Sequence, residues 1–542
     1  MSNGHDPAFA GSARPLAARA DLCALVAICA VFAVLRVPLM YRLPGGQDEA
    51  EFSVPGVTIL REGIPRVPYV PSRDPEGFFY RYDEVFLSHP PACFYWQAAF
   101  YCILPPGYGT ARLASGAAAI LAIVLIYLVG RPLTGSRAAA LWGAGLYSLS
   151  RVCYFSAMSS RPSMLCGMLG FAAFGAFLRW RDTQRRTWLA ATSLFLGLGG
   201  LTHPFAIIYA VQIGAWTLLV SEPPLRRLRN FASLVTGTIV VFSMWLLLIV
   251  PYFEVFQSQF FNNVLNRSAP GLLKRFVWPW EAIPTQTRMV LEHAGPIQTA
   301  VMFGALAMAT VLAVRRKNAR VLTLAAIAAS SVYLLVVFEG CHTTKKYWCY
   351  PGGWLFLCAG WSVVWAGRKA SLFCRRRIGS GRLCRAAPAL VGICLLLAML
   401  PGSGIRAWAA HVQHWNDPLY DARRFVRILL RRLPPEARAV VDIAYVLPFY
   451  LEGRSVIRAD NHDLRAPDDY LPYDYYVAGP ESIDHGFPRR LGSRFVESFG
   501  ERENVFACYA ELYEYGGTSR LSLHPESRVG AARSARGGSE SR

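Results

Sequence analysis

Long apolar runs separated by short polar segments occupy the chain from residue 22 to about residue 401. A helix needs about 20 apolar residues to cross the ~30 Å hydrocarbon core of a bilayer. The first run, residues 22–40, follows a polar N-terminal segment and has no small-residue cleavage site, which predicts a retained first helix with the N-terminus inside. The other predicted spans are residues 110–130, 138–157, 162–179, 188–203, 204–220, 231–251, 297–314, 321–339, 347–366 and 388–401.

The segment 88–104 leaves the number of crossings open, because it is apolar and aromatic but lies between proline pairs. Cytoplasmic loops carry an excess of Lys and Arg. The arginine-rich loops all fall inside if 88–104 makes no net crossing, which gives eleven crossings; if it does cross, the orientation of everything after it reverses. We expect the first arrangement, which places residues 41–87, residues 252–296 and the C-terminal region outside. The arginine-rich loops are residues 131–137, 179–187, 222–229, 315–320 and 368–385.

The C-terminal region has a different pattern. Residues 418–433 carry one apolar stripe, which predicts an amphipathic helix, and short runs indicate strands, so we expect a small α/β domain. The stripe consists of Leu419, Phe425, Leu429 and Leu433, and the strand-like runs are residues 439–443, 455–457, 475–478 and 505–509. The predicted division is a cytoplasmic N-terminal tail (1–21), a transmembrane domain (22–401), an α/β extramembrane domain (402–524) and an Arg/Ser/Gly-rich disordered tail (525–542).

Composition and charge narrow the class of protein. The 542 residues are 54% hydrophobic and 17% charged, with mean hydropathy +0.29, which excludes a soluble enzyme, a small disulfide scaffold and a disordered chain. The net charge of +21 lies in short runs between apolar segments, which indicates membrane lipids as partners and no nucleic acid. We therefore expect a polytopic α-helical membrane protein with about 11–13 transmembrane helices, juxtamembrane helices in the first outer loop and a small C-terminal α/β extramembrane domain.

Three carboxylates follow the first span directly, in the stretch Gly45-Gly46-Gln47-Asp48-Glu49-Ala50-Glu51-Phe52. Acidic residues are costly near hydrocarbon, so those found there usually have a partner or a task. Asp48, Glu49 and Glu51 are therefore candidates for a general base or a cation ligand at the membrane boundary. The alternative is that all three carboxylates face solvent.

Cationic residues and a histidine recur at other predicted outer positions. His89 precedes two prolines, which fix the start of a helix, and its alternative role is an interfacial hydrogen bond. Arg161 precedes the span 162–179 on the side where arginine is rare, so it is a candidate anion ligand; the alternative is a snorkelling arginine. Lys345 and Lys346, followed by Tyr347, are two of only five lysines in the chain. They are candidate phosphate ligands if their loop is outside, and ordinary cytoplasmic lysines if the topology is reversed.

The order of these motifs resembles the GT-C glycosyltransferases that use polyprenyl-phosphate sugars. The shared features are an Asp-Glu pair after the first span, a later His-Pro-Pro, and a segment at 108–116 that is similar to the third helix of protein O-mannosyltransferases and aminoarabinose transferases. The resemblance covers residues 22 to about 366 and is strongest over 45–180. This chain departs from the family at Ser163, where many relatives have an acid, and at Thr202-His203, where a lysine is frequent.

The resemblance implies an inverting hexosyl- or pentosyltransferase in residues 22–401. Asp48 would be the catalytic base and Glu49 would support it. His89, Arg161, Lys345, Lys346 and Tyr347 would bind the donor phosphate or the substrate. The implied partners are a polyprenyl-phosphate sugar donor, an acceptor that the sequence does not specify, and membrane lipids.

Other interpretations remain open at this point. A lipid-phosphate transporter or flippase would use the same cations without a base, and a catalytically inactive GT-C relative could act as a scaffold. No cofactor is specified by the sequence, and a divalent cation stays open because one Asp-Glu pair is not a ligand set. The expected location is a bacterial plasma (inner) membrane, with the C-terminal domain on the outer face.

Overall fold

A computed structural model describes residues 15–46, 48–77, 79–219, 223–266, 271–341, 345–377, 381–459 and 473–515. The predicted disordered tail and residues 342–344 lie outside the described residues. The first helices are α1 (Pro15–Arg42), α2 (Glu49–Glu62), α3 (Ala92–Tyr101), α4 (Tyr108–Thr134), α5 (Arg137–Leu149), α6 (Arg151–Ala157), α7 (Ser163–Thr183), α8 (Arg186–Gly200) and α9 (Ile207–Leu219). The next are α10 (Pro224–Phe242), α11 (Leu246–Ile249), α12 (Phe253–Phe260), α13 (Leu272–Val277), α14 (Ile283–Ala294), α15 (Pro296–Arg315), α16 (Ala319–Glu339), α17 (Cys349–Arg377), α18 (Gly381–Met399) and α19 (Ile405–Gln413).

Among the described residues, six helices are long and apolar enough to cross a membrane, and a bent pair over Ala386–Gln413 makes a seventh. The six are Arg19–Arg42, Tyr108–Thr134, Ser163–Thr183, Pro224–Leu265, Pro296–Arg315 and Ala319–Glu339. The prediction of a polytopic α-helical membrane protein is therefore confirmed. The count of eleven crossings stays a prediction, because predicted spans such as 138–157 and 188–203 form shorter helices.

Two segments differ in length from what the apolar pattern suggests. The ambiguous segment 88–104 contains only the ten-residue α3, and ten residues extend about 15 Å, half of a ~30 Å hydrocarbon core. It does not cross the core as one helix. The predicted span 231–251 belongs to a 42-residue helical stretch, Pro224–Leu265, which is twice as long as the ~20 residues that a crossing needs. It is interrupted by 3-10 turns at Ser243–Trp245 and Val250–Tyr252.

Helices α5 and α17 approach closely because glycines face each other where they cross. A Cβ atom on Gly360 of α17 would lie 2.2 Å from the Ala139 carbonyl oxygen and 2.4 Å from the Gly143 nitrogen of α5. Small residues let helix backbones meet in this way in membrane proteins, where packing rather than hydrophobicity drives helix association. The crossing places α6 and the start of α17 side by side, and both border the candidate site.

The C-terminal domain contains a five-stranded sheet with strand order β2-β1-β3-β5-β4. Strands β2, β1 and β3 are parallel, and β5 runs antiparallel to both β3 and β4. The amphipathic stripe of the predicted helix is buried on one side of the sheet, at Phe425 and Leu429. The elements are α20 (Ala422–Arg432), β1 (Ala439–Val441), α21 (Val446–Leu451), β2 (Val456–Arg458), β3 (Tyr475–Ala478), α22 (Pro480–Asp484), α23 (Phe487–Arg490), β4 (Ser493–Phe499) and β5 (Ala510–Tyr515).

One predicted strand of this domain is wrong and another strand was missed. Residues 505–509 are not a strand, and the Cys508 N–H donates to the Leu419 carbonyl oxygen at 2.7 Å instead of to a neighbouring strand. The strand begins directly afterwards, at Ala510. The missed strand, β4, lies at the sheet edge and is partly exposed on both faces, so its sequence lacks the apolar alternation that marks a half-buried strand.

The C-terminal domain shares one hydrophobic core with the first polar loop (residues 43–91). Phe52, Tyr69 and Phe86 of the loop pack in the same cluster as Phe425 and Val441 of the domain. At the end of α1, the buried Arg42 donates from Nε to the Tyr420 carbonyl oxygen at 3.0 Å. The domain is thus packed directly on the segment that contains the candidate carboxylates.

Candidate active site

Asp48 lies in a short turn between the end of α1 and the start of α2. Its carbonyl oxygen accepts from the Phe52 N–H at 3.1 Å, which closes the first turn of α2. Its Oδ2 atom accepts from Arg161 Nη1 and from Lys346 Nζ, the latter at 3.0 Å. Asp48, Arg161, Lys346 and Tyr347 are called the Asp48 cluster below.

Arg161 enters the cluster from the turn before α7. Pro162 follows it and ends the turn, so that α7 begins at Ser163. The guanidinium is buried, donates from Nη2 to the Tyr347 hydroxyl at 3.3 Å, and lies 5.5 Å from the centre of the Phe52 ring. The Nε atom of Arg161 is buried and has no hydrogen-bond partner among the described residues.

Lys346 and Tyr347 come from a 3-10 turn over Lys345–Trp348, just before α17. The Lys346 carbonyl oxygen accepts from the Ser156 hydroxyl at 3.1 Å, which ties the turn to α6. Lys345 shares this turn, but its side chain lies outside the described residues. The structure therefore brings together an acid, an arginine and a lysine that the sequence separates by about 300 positions.

The electrostatics of the cluster follow from one carboxylate between two cations. Burial by itself raises the pKa of the Asp48 carboxyl, but Arg161 and Lys346 outweigh it and hold that pKa well below its usual range. Asp48 is therefore ionised at every pH near neutrality. Its side chain keeps 29% of its surface exposed, against 8% for Arg161.

The Glu49 carboxylate accepts four hydrogen bonds. Two of them come from Arg112 of α4, one of them Nε to Oε1 at 2.8 Å. The other two come from the backbone N–H groups of Gly46 at 2.8 Å and Ser160 at 3.0 Å. Glu49 thus holds the turns that contain Asp48 and Arg161. Sequence reasoning missed Arg112 as its partner, although an arginine within an apolar run is itself a signal.

His89 lies beside the cluster, in contact with Phe52 and His203. Its ring centre is 4.8 Å from that of Phe52 and 5.9 Å from that of His203. His203, which stands where the related family often has a lysine, accepts from the Phe205 N–H at 3.2 Å, and its ring centre is 5.1 Å from that of Tyr347. Burial, together with His89 and Arg161, lowers the pKa of His203 well below its usual value.

The residues of the cluster do not fit a metal ion. The described residues contain no group of three or more His, Cys, Asp or Glu side chains that could hold one. The neighbours of the Asp48 carboxylate are cations, which would repel a divalent ion.

Comparisons with known proteins show what this chain is similar to. The family model of dolichyl-phosphate-mannose-protein mannosyltransferases matches residues 88–249, which include His89, Arg161 and His203. The structure of ArnT from Cupriavidus metallidurans in the apo state has 17% identity and a TM-score of 0.57, over 92% of this chain and 98% of that one. The same enzyme bound to undecaprenyl phosphate has 16% identity and a TM-score of 0.56, with the same coverage. The chain has the GT-C fold.

A second solved protein with this fold is the oligosaccharyltransferase AglB from Archaeoglobus fulgidus, in complex with an inhibitory peptide and a dolichol-phosphate. It has 12% identity and a TM-score of 0.53, over 94% of this chain and 76% of that one. No curated protein sequence matches this chain. Asp48 and Lys346 lie outside the region that the family model matches, so the match covers only part of the Asp48 cluster.

Proposed function

We propose that this chain is a membrane glycosyltransferase. It transfers a sugar from a polyprenyl-phosphate donor to an acceptor on the non-cytoplasmic face of a bacterial plasma membrane. The observation that carries the proposal is the contact of the Asp48 carboxylate with both Arg161 and Lys346. A base and two cations in one partly open site are what sugar transfer from a lipid phosphate requires.

We assign the binding of the donor phosphate to the side chains of Arg161 and Lys346. Solved relatives with this fold are described with undecaprenyl phosphate and dolichol-phosphate, which supports an isoprenoid phosphate here as well. Arg161 offers an Nε donor that is buried without a partner among the described residues. A guanidinium presents several N–H groups in one plane and suits phosphate oxygens, while the Lys346 ammonium acts as a point charge.

The reaction is a single displacement. The acceptor hydroxyl or amine gives its proton to Asp48, and its oxygen or nitrogen forms a bond to the anomeric carbon. The bond between that carbon and the phosphate oxygen breaks at the same time, so the configuration inverts and polyprenyl phosphate leaves. Arg161 and Lys346 stabilise the negative charge that develops on the leaving phosphate.

The contacts of Asp48 with Arg161 and Lys346 favour one order of substrate binding. Asp48 is a weak base while both cations contact it, because they hold its pKa low. A donor phosphate competes for the same cations, and its negative charge raises the proton affinity of the carboxylate. We therefore assign donor binding to the first step and acceptor activation to the second. Glu49 supports the turn that contains Asp48, and we assign Tyr347 and His89 to the donor side. Lys345 stays a predicted phosphate ligand, because its side chain lies outside the described residues.

The test is turnover by purified protein, measured as released polyprenyl phosphate. Asp48→Asn keeps the shape of the side chain but removes the base, and a general base contributes about 10²–10⁴-fold to rate. We expect a loss of that size. Asp484→Asn is the matched control, since Asp484 is an exposed surface acid that pairs with Arg502, and it should keep full turnover.

Two outcomes would contradict the proposal. Full turnover in Asp48→Asn would remove Asp48 from its role as base. Lipid-phosphate flipping by reconstituted protein, without any sugar transfer, would instead favour the transporter.

A further inference from the structure

The C-terminal domain contacts the Asp48 turn from the N-terminal side. The Gly45 N–H donates to the Ala444 carbonyl oxygen at 3.0 Å, and the Tyr108 hydroxyl donates to the Ile443 carbonyl oxygen at 2.7 Å. A Cβ atom on Gly45 would lie 2.6 Å from the Tyr108 ring and 3.0 Å from the Ile443 carbonyl oxygen. A side chain at position 45 would collide with the Tyr108 ring, so glycine fits between that ring and the Ile443 carbonyl oxygen.

The same domain also contacts the turn from the C-terminal side. Arg458, the last residue of β2, donates from Nη1 to Glu51 Oε1 at 2.7 Å, and its side chain has no exposed surface. Its backbone N–H donates to the Tyr69 carbonyl oxygen at 3.0 Å, and its guanidinium lies 4.7 Å from the centre of the Phe79 ring. The first polar loop therefore covers the free edge of β2, and the ion pair is enclosed between the loop and the domain.

Glu51 lies one helical turn after Asp48, so the position of its carboxylate determines where the first turn of α2 lies. The cations that meet Asp48 come from a different source, the turns before α7 and α17. The Asp48 turn is thus held in position both by the membrane helices and by the C-terminal domain.

We propose that Arg458 is a positioning residue for Asp48. Its ion pair with Glu51, together with the Gly45 contact, sets the distance between the Asp48 carboxylate and the substrate held by the membrane helices. This inference rests on the proposed function. A misplacement of about 1 Å that originates far from the reacting atoms can reduce a rate about 100-fold.

The test uses the double variant Glu51→Gln/Arg458→Met. It removes both charges, so that neither is left buried and unpaired, which is the damaging case for a buried ion pair. We expect kcat to fall about 10- to 100-fold and the donor KM to stay within about twofold, because Arg161 and Lys346 are intact.

The matched control is Arg494→Met/Glu514→Gln. This pair joins β4 to β5 at 2.8 Å in the same domain, but its side chains are 78% and 44% exposed. The same chemical change is made there without touching the Asp48 turn, so kcat should match that of the unchanged protein.

A lysine variant separates positioning from stability. Arg458→Lys keeps the positive charge but replaces the planar guanidinium by an ammonium group. We therefore expect a kcat between those of the unchanged protein and the double variant, with the donor KM unchanged. Thermal unfolding shows which variants are folded at the assay temperature. If the double variant does not fold, the kcat of Arg458→Lys tests the proposal: a value below that of the unchanged protein supports it, and an equal value overturns it.

The proposal is overturned if a folded variant loses melting temperature but keeps full kcat. Failure of the proposed function looks different. If Asp48→Asn keeps turnover, the assignment of the base is wrong, whatever Arg458 does. If Asp48→Asn is inactive while the folded Glu51→Gln/Arg458→Met variant has full kcat, only the positioning inference is wrong.

Discussion

Three carboxylates lie within four positions of the chain, and they differ in what they can do because each contacts different cations. The pairs are Asp48 with Arg161 and Lys346, Glu49 with Arg112, and Glu51 with Arg458. The exposed fractions of the three carboxylate side chains are 29%, 5% and 15% in chain order. Asp48 is the most exposed of the three carboxylates, which supports its proposed role as the base.

A pH effect on stability is expected at His203. Its pKa is lowered in the folded protein by burial, by His89 and by Arg161, while the unfolded value is about 6.5. Above about pH 6.5 both states are neutral. As the pH falls below that value, the unfolded state takes up a proton that the folded state does not, so stability falls by about 1.4 kcal/mol per pH unit until the folded pKa is reached.

The measurement is the free energy of unfolding in detergent at several pH values between about 7.5 and 5. His203→Asn keeps a helix-capping side chain but has no titrating ring, so its stability should depend less steeply on pH than that of the unchanged protein. Parallel pH profiles for the two proteins would show that His203 accepts a proton in the folded state.

At the scale of the elements, the close packing of α5 against α17 requires a glycine at position 360, because it has no side chain. Gly360→Ala would place a methyl group against the Ala139 carbonyl and the Gly143 nitrogen. Backbone atoms cannot swing aside as a flexible side chain does, so the helices must separate. We expect a loss of at least about 1–3 kcal/mol, the usual cost of overpacking.

Thermal unfolding of Gly304→Ala provides the comparison for Gly360→Ala. Gly304 lies in α15 with no atom within 4 Å of a built Cβ, so alanine there should be neutral or should stabilise the helix by about 0.5–1 kcal/mol. If both variants unfold at the same temperature, the close approach of α5 and α17 contributes nothing to the stability of the protein.

At the scale of the whole molecule, the Asp48 cluster lies at one end of α7, and this position predicts which segments lie on the same side of the membrane. Helix α7 has 21 residues, about 31 Å, which matches a bilayer core. Gln184, directly after α7, should therefore lie on the side opposite to Arg161 and the C-terminal domain.

Cysteine labelling in cells checks this sidedness. In a chain whose exposed cysteines are replaced, a membrane-impermeant thiol reagent should label Glu452→Cys in intact cells and Gln184→Cys only after lysis. Both positions are exposed, so access to the reagent depends on the side alone. Labelling of both in intact cells would contradict a crossing by α7, and the reverse pattern would place the site on the cytoplasmic face. The exposed cysteines are Cys23, Cys102, Cys341 and Cys394.

Through its local patterns, the amino-acid sequence was sufficient to predict the membrane class, the amphipathic helix of the C-terminal domain and the residue types of the Asp48 cluster. These follow from local hydrophobicity and from the cost of charge near lipid, which a chain shows wherever it folds. It did not determine which cation meets which acid, the edge strand β4, or the role of Arg458. Ion-pair partners such as Glu51 and Arg458, 407 positions apart, are selected by packing. Only the tertiary structure decides them, because the energy of a charge depends on what surrounds it.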